Sequence, residues 1–426
     1  MLKLKLLTSI GLICLSGLIS CRQSPKNKAN IPQKAKDNHI RLFEEIGTIE
    51  NNLSKIASDV EVIPLEFTKG CALSRIRQLE ITPAYIFVAQ QNGVFQFNRK
   101  GQFIQKIGKT GKGPGEYPLV NVMRINQQQQ RIHILPARKH SCIITYDFKG
   151  NFISENRIEE NDYTNFDLVG NNYFAFSPVN ITRFEKGGTK LIIVNQKGET
   201  VKKWRSAQYP LSSSRSLFCY GPAANHLWQQ NGISYFHEIL NDTIYRIEPN
   251  ELIPEKIVAG EKKIPLETFH CERSFPIRER YICLQPQDIL NHQVIFETEN
   301  YLLFRCSYKG SSYFASFNKS SHTFSKSDHR IAQDNSKKTP KDNLVGFYDD
   351  MVSGLPFIPQ FKVDNNRLAT VFDAYQLKSQ SGFIANDSKK KGNSELLKIT
   401  NQLKSTDNPV LFIATLKTEK QKSSKL

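Results

Sequence analysis

A short turn, Asn98-Arg99-Lys100-Gly101, recurs as Asp147-Phe148-Lys149-Gly150 and again as Asn195-Gln196-Lys197-Gly198, which sets the glycines 49 and then 48 residues apart. Looser copies follow at Glu248-Pro249-Asn250 and Asn318-Lys319-Ser320-Ser321. An apolar alternating stretch precedes each turn, at 94–97, 143–146, 191–194, 243–247 and 313–317. A hairpin turn favours Gly or Asn because its backbone enters positive φ. One hairpin per unit of about 50 residues is the period of a propeller blade. Helical periodicity is nearly absent.

Each unit divides into four strands. The innermost are expected at 74–82, 119–126, 166–169, 224–229, 294–297 and 357–363, which makes six blades. The sixth lacks an outer strand, and 60–67, ahead of the first blade, is available to complete it. That closure joins the termini and removes an open edge. The expected fold is therefore all-β: a six-bladed β-propeller of four-stranded antiparallel blades, ring-closed by an N-terminal strand, with a short helical insert in the last blade. In domain terms, 1–20 is a signal peptide, 21–55 a lipidated cysteine with a flexible tether, 56–417 the propeller and 418–426 a basic tail.

The first residues carry an address. Two lysines precede an apolar run over 6–19, and Leu18-Ile19-Ser20 leads into Cys21. The run is 14 residues long, short of the roughly 20 that a membrane-spanning helix needs. The Leu-Ile-Ser-Cys ending resembles the lipobox of bacterial lipoproteins, in which the cysteine thiol takes the lipid and becomes the new N-terminus. Residues 22–39 are polar and rich in lysine, as a solvated tether would be. No acidic cluster follows Cys21, and the expected location is the cell envelope, lipid-anchored on the periplasmic face of the outer membrane.

The chain carries a formal net charge of +18, and lysines cluster in the tether, at 389–391 and in the tail over 417–425. That distribution argues for solvated ends and against a nucleic-acid groove; attraction to an anionic surface or an acidic glycan fits it better. Six cysteines remain after the signal and the lipidated residue, with Cys271 and Cys283 the nearest pair in sequence. Buried free thiols are the simplest reading, although an extracytoplasmic setting permits disulfides.

Gly111-Lys112-Gly113-Pro114-Gly115-Glu116-Tyr117, the later Asn241-Asp242-Thr243-Ile244-Tyr245 and the terminal Asn408-Pro409-Val410-Leu411 together resemble the six-bladed β-propeller lipoproteins of Bacteroidetes, which are similar to NHL-repeat propellers. The resemblance covers most of the chain after residue 56. It implies a fold and an envelope location, with no known reaction. The glycine-rich loop lacks the spacing of a phosphate-binding loop and leads into a strand, so it reads as a blade-to-blade crossover.

In an antiparallel blade, the loops joining strands two and three share a face with the crossovers, and the Lys-Gly turns lie on the other. Two long insertions, 260–290 and 377–408, fall on the crossover face, the second with a helix expected over 395–403. Elaborated loops on a rigid scaffold commonly carry recognition. The candidate ligand residues there are Lys112, Tyr117, Arg138, His140, Arg183 and Asp242, joined by Arg75, Arg77 and Arg124 from the innermost strands. No catalytic cluster and no metal motif stands out, and no cofactor is expected. The leading expectation is a non-enzymatic binding module for an envelope protein or glycan. The competing one is a metal-dependent lyase or lactonase holding Ca²⁺ or Zn²⁺ in the central funnel.

Overall fold

The computed structural model describes residues 38–42, 48–137, 141–158, 163–178, 189–205, 226–238, 241–260, 270–274, 280–284, 291–309, 311–327, 329–330, 345–386 and 393–418. Six four-stranded antiparallel sheets form a β-propeller. Blade 1 comprises Gln78–Ile81, Tyr85–Gln90, Gly93–Asn98 and Phe103–Ile107. Blade 2 comprises Leu119–Asn126, Arg131–Ala137, Cys142–Asp147 and Phe152–Arg157, and blade 3 Tyr163–Val169, Tyr173–Pro178, Thr189–Asn195 and Thr200–Arg205. The innermost strands of blades 4, 5 and 6 are His226–Gln230, Asn291–Glu297 and Phe361–Lys362.

Burial explains the strand composition. A middle strand such as Tyr85–Gln90 packs both faces against neighbouring blades and is apolar almost throughout, whereas the outer Phe103–Ile107 alternates with solvent. Phe87, Val94 and Ile107 of blade 1 thus share one core with Met123, Ile132, Ile144 and Tyr146 of blade 2. At the repeated turns Gly101, Gly150 and Gly198 all have positive φ, between 81° and 87°, which is the reason the period is visible at all.

The ring closes as expected. Ala57–Pro64 pairs antiparallel with Val410–Leu416 and serves as the outer strand of blade 6. Asn408 locks the junction: its Nδ2 donates to the carbonyls of Glu66 at 2.7 Å and Cys71 at 2.9 Å, and its Oδ1 accepts from the Leu73 amide at 2.7 Å. The blade 6 insert forms helices Ala374–Ser379, Ser381–Asn386 and Asn393–Gln402, the first started by an Asp373/Gln376 capping box. Leu377, Ile384 and Leu396 bury against Phe412. No helix among the described residues is long and apolar enough to cross a membrane.

The segment ahead of the ring departs from expectation. A flexible tether through residue 55 would leave it free, yet His39–Leu42 adds in parallel to Glu251–Gly260 at the rim of blade 4, and Thr48–Ile49 adds in parallel to Thr323–Ser327 at the rim of blade 5. Ile40 and Leu42, buried with Val258 and Ile244, supply the reason: two apolar side chains in a polar stretch cover an edge that would otherwise stand open. Residues 1–37 and 419–426, which include Cys21 and the basic tail, lie outside the described residues.

Cys71, Cys142 and Cys306 are buried free thiols. Cys271 and Cys283 are register partners on the hairpin His270–Ser274/Arg280–Leu284.

Candidate ligand-binding funnel

The innermost strands surround a central cavity of about 640 Å³, within the ~300–1,000 Å³ common for small-molecule sites. It runs from mid-strand to the turns between first and second strands, where Gln127, Gln128, Asn171, Asn231 and Asn365 form its polar rim. By strand alternation those turns share a face with the Lys-Gly turns. The described funnel therefore opens on the end opposite the crossovers and the long insertions, where the elaborated loops had pointed.

Five blades contribute ionisable side chains to the wall: Glu80, Arg124, Asp167 and His226 from blades 1 to 4, and Lys362 together with Asp364 from blade 6. Arg124 bridges two of them, with Nε 3.4 Å from Asp167 Oδ1 and Nη1 3.8 Å from Glu80 Oε1. Lys362 reaches past blade 5 to blade 4, where its Nζ donates to the Gln229 carbonyl and to Gln230 Oε1 at 2.5 Å. Asn365, three residues further along the chain at the rim, accepts from the Asn231 amide at 3.0 Å and ties the same two blades.

The electrostatics follow from burial. Desolvation pushes Glu80 up to about 7 against the pull of Arg124, and it likewise raises Asp167, again opposed by Arg124. Burial, then the charge of Arg124, holds His226 at about 4, so its ring is neutral. Desolvation lowers Lys362 to about 8, with Glu297 and Asp167 pulling the other way. The wall thus carries two cations and two carboxyls whose proton affinity is raised.

His226 stacks on Trp228 at 5.1 Å and hydrogen-bonds the Ile295 backbone, while its Nε2 is covered and has no partner among the described residues. Behind it, buried Glu297 accepts from Trp228 Nε1 at 3.1 Å, Lys256 Nζ at 2.6 Å and Lys319 Nζ at 2.7 Å. Burial alone would raise this carboxyl, but the two lysines outweigh it and hold Glu297 below its usual range.

Of the residues singled out from sequence that fall among the described residues, Arg124 is the one placed in the funnel wall. Tyr117 is corrected to a core residue: its ring is fully buried, its hydroxyl donates to the Ile107 carbonyl and accepts from the Val94 amide at 3.3 Å. Lys112 is exposed on the crossover, and Arg75 and Arg77 are exposed ahead of the first strand, where Arg77 Nη2 donates to Gln91 Oε1 at 3.2 Å. Asp242 is half-buried and its carbonyl accepts from the Val258 amide at 2.6 Å. Arg138, His140, Arg183 and Cys21 lie outside the described residues. Glu80, Asp167, His226 and Lys362 were not anticipated; the available signal was a charged or imidazole side chain in a strand assigned to the ring's centre.

Among the described residues no three His, Cys, Asp or Glu side chains group as metal ligands would. The glycine-rich crossover is held within itself and to the outer strand of blade 2, the Gly113 amide donating to Glu116 Oε2 at 3.1 Å and the Gly115 amide to Glu155 Oε2 at 3.0 Å.

Fold and site together define a six-bladed propeller with a polar, charge-lined central funnel. The chain belongs to the DUF4934 family, described as a domain of unknown function, whose model matches residues 40–415. It is similar in structure to a Bacteroides fragilis protein described as exported, at 14% identity and a TM-score of 0.62, over 89% of this chain and 100% of that one. More distant likenesses include the extracellular domain of a hybrid two-component system from B. thetaiotaomicron, at 15% identity and a TM-score of 0.33 over 66% of this chain and 39% of that one. Another is PorZ, a surface component of the type-IX secretion system of Porphyromonas gingivalis, at 12% identity and a TM-score of 0.28 over 65% and 38%. No curated protein matches.

Proposed function

We propose that this protein is an exported, lipid-anchored binding module of the cell envelope whose ligand sits in the central funnel. The observation that carries the reading is the convergence of Glu80, Arg124, Asp167 and Lys362, from four different blades, on one cavity. Core economy does not call for charged side chains there, since burying them costs free energy that apolar residues would avoid. A rigid ring presenting fixed charges and amides is suited to holding a small polar ligand without large rearrangement.

Cys21, preceded by its apolar run, is the proposed lipid attachment point, with the periplasmic face of the outer membrane as the location and an envelope protein or glycan as the partner class. Nucleic acid is not a proposed partner. The anchor is tested by labelling cells with a lipid precursor: Cys21→Ala abolishes labelling, and persistent labelling refutes the lipobox.

The funnel is tested by a thermal-shift screen of polar envelope metabolites on the wild type and on Gln127→Trp, a bulky change at an exposed rim position. Stabilisation by a ligand in the wild type and its loss in the variant is the expected result. Ligands that stabilise both equally bind elsewhere.

A further inference from the structure

Lys362 and Arg124 differ in what already neutralises them. Arg124 faces two carboxylates, Asp167 at 3.4 Å and Glu80 at 3.8 Å. Lys362 has no carboxylate within ion-pair distance among the described residues; its two hydrogen-bond acceptors, the Gln229 carbonyl and Gln230 Oε1, are both neutral. An ammonium has three protons to donate, so one remains. Arg124 directs Nη1 to the Met123 carbonyl at 3.0 Å, and its Nη2 has no partner among the described residues. The funnel wall therefore retains cationic donor capacity at two points.

Of the other exposed groups, the Asp364 carboxylate is already paired with Arg367 Nε at 2.7 Å. Glu80 keeps 30% of its side chain accessible, and with its proton affinity raised by burial it both accepts and donates near neutral pH. The rim residues Gln127, Gln128, Asn171, Asn231 and Asn365 are neutral amides, each with donor and acceptor capacity. Such groups match hydroxyls better than they match a second charge. An ammonium-bearing ligand would meet carboxyls that burial, Arg124 and, for Asp364, Arg367 already control.

We propose that the funnel binds a hydroxylated carboxylate of the uronic-acid class, its carboxylate on Lys362 and Arg124 and its hydroxyls on Glu80 and the rim amides. The proposal rests on the funnel being the ligand site and adds the chemistry of the ligand. A cavity of about 640 Å³ admits more than one pyranose ring, so a terminal uronate of an oligosaccharide fits as well as the free sugar acid.

The test is isothermal titration of the full-length protein in detergent with glucuronate and galacturonate, against glucose, galactose and diglycine. Uronates are expected to bind about tenfold or more tighter than the neutral hexoses. Lys362→Met should weaken uronate about tenfold and leave the hexoses unchanged, while Lys362→Arg, which keeps the charge, retains most of the affinity and controls for folding. Equal affinity for hexoses and uronates, binding of diglycine in place of uronates, or an unchanged Lys362→Met would overturn the proposal. If the preferred ligand is another class and Gln127→Trp blocks it, the funnel reading survives without this chemistry. If uronate binds Gln127→Trp as it binds the wild type, the funnel itself is refuted.

Discussion

Arg124 Nε lies 3.4 Å from Asp167 Oδ1 and joins the innermost strands of blades 2 and 3 at the funnel wall. Asp167 is 5% exposed, so its charge is tolerated because Arg124 is there. Replacing Arg124 with Met leaves Asp167 and Glu80 without their cation and should cost about 3 kcal/mol at pH 8. Arg124 lowers both carboxyls, so without it they hold protons more tightly in the folded state. The loss should therefore shrink as pH falls to 5, which unfolding curves at the two pH values check.

Glu80 allows a change in the opposite direction. Its folded value, about 7, stands above its ordinary 4.5, so the folded state binds the extra proton and stability declines as pH rises from about 4.5 through 7. Glu80→Gln removes that decline. The variant should gain on the order of 1 kcal/mol over the wild type at pH 8, given the screening its partial exposure permits, and nothing at pH 4.

Uronate affinity has its own pH signature. Lys362, lowered to about 8, faces Asp167, Asp364 and Glu297 and also the like charge of Lys319. Its ammonium deprotonates as pH rises through 8, and Glu80 ionises through about 7. Both changes disfavour an anion, so affinity should fall continuously between pH 6 and pH 9 in titrations at fixed ionic strength. A binding isotherm indifferent to pH over that range would remove Lys362 from the site.

The rim strand at His39–Leu42 should be stabilising. Leu42 is fully buried among Val258, Ile244 and Ile40, and Leu42→Ala is expected to cost about 2–4 kcal/mol and to expose the edge of blade 4 to proteolysis. Limited digestion of wild type and variant reads both effects.

Gly198, at φ +87°, would place an added Cβ 2.1 Å from the Arg157 carbonyl oxygen. Gly198→Ala should thus lower stability by about 1–3 kcal/mol, seen as a reduced melting temperature.

What was legible in the sequence was whatever the backbone demands locally. The positive-φ glycines at 101, 150 and 198 marked the outer hairpins, and their spacing set the blade period. The Asn408-Pro409 and Asn241-Asp242 motifs also proved to be backbone devices, Asn408 clamping the ring closure and Asn241 Oδ1 accepting from the Thr243 amide at 2.9 Å. The funnel was largely hidden because Glu80, Arg124, Asp167 and Lys362 come together only through the ring, at sequence separations that no short motif spans. Elaborated loops drew attention to the crossover face, while the described cavity is walled by the plainest strands of each blade. The rim strands escaped notice because Ile40 and Leu42 are two apolar residues in a segment whose composition is that of a tether.

Where a ligand sits on the ring is read directly from a crystal structure of the full-length protein soaked with glucuronate. The expected density lies in the funnel, its carboxylate within hydrogen-bond distance of Lys362 Nζ and Arg124 and its hydroxyls toward Glu80 and the rim amides. Density confined to the crossover face, with the funnel holding only water, would contradict it.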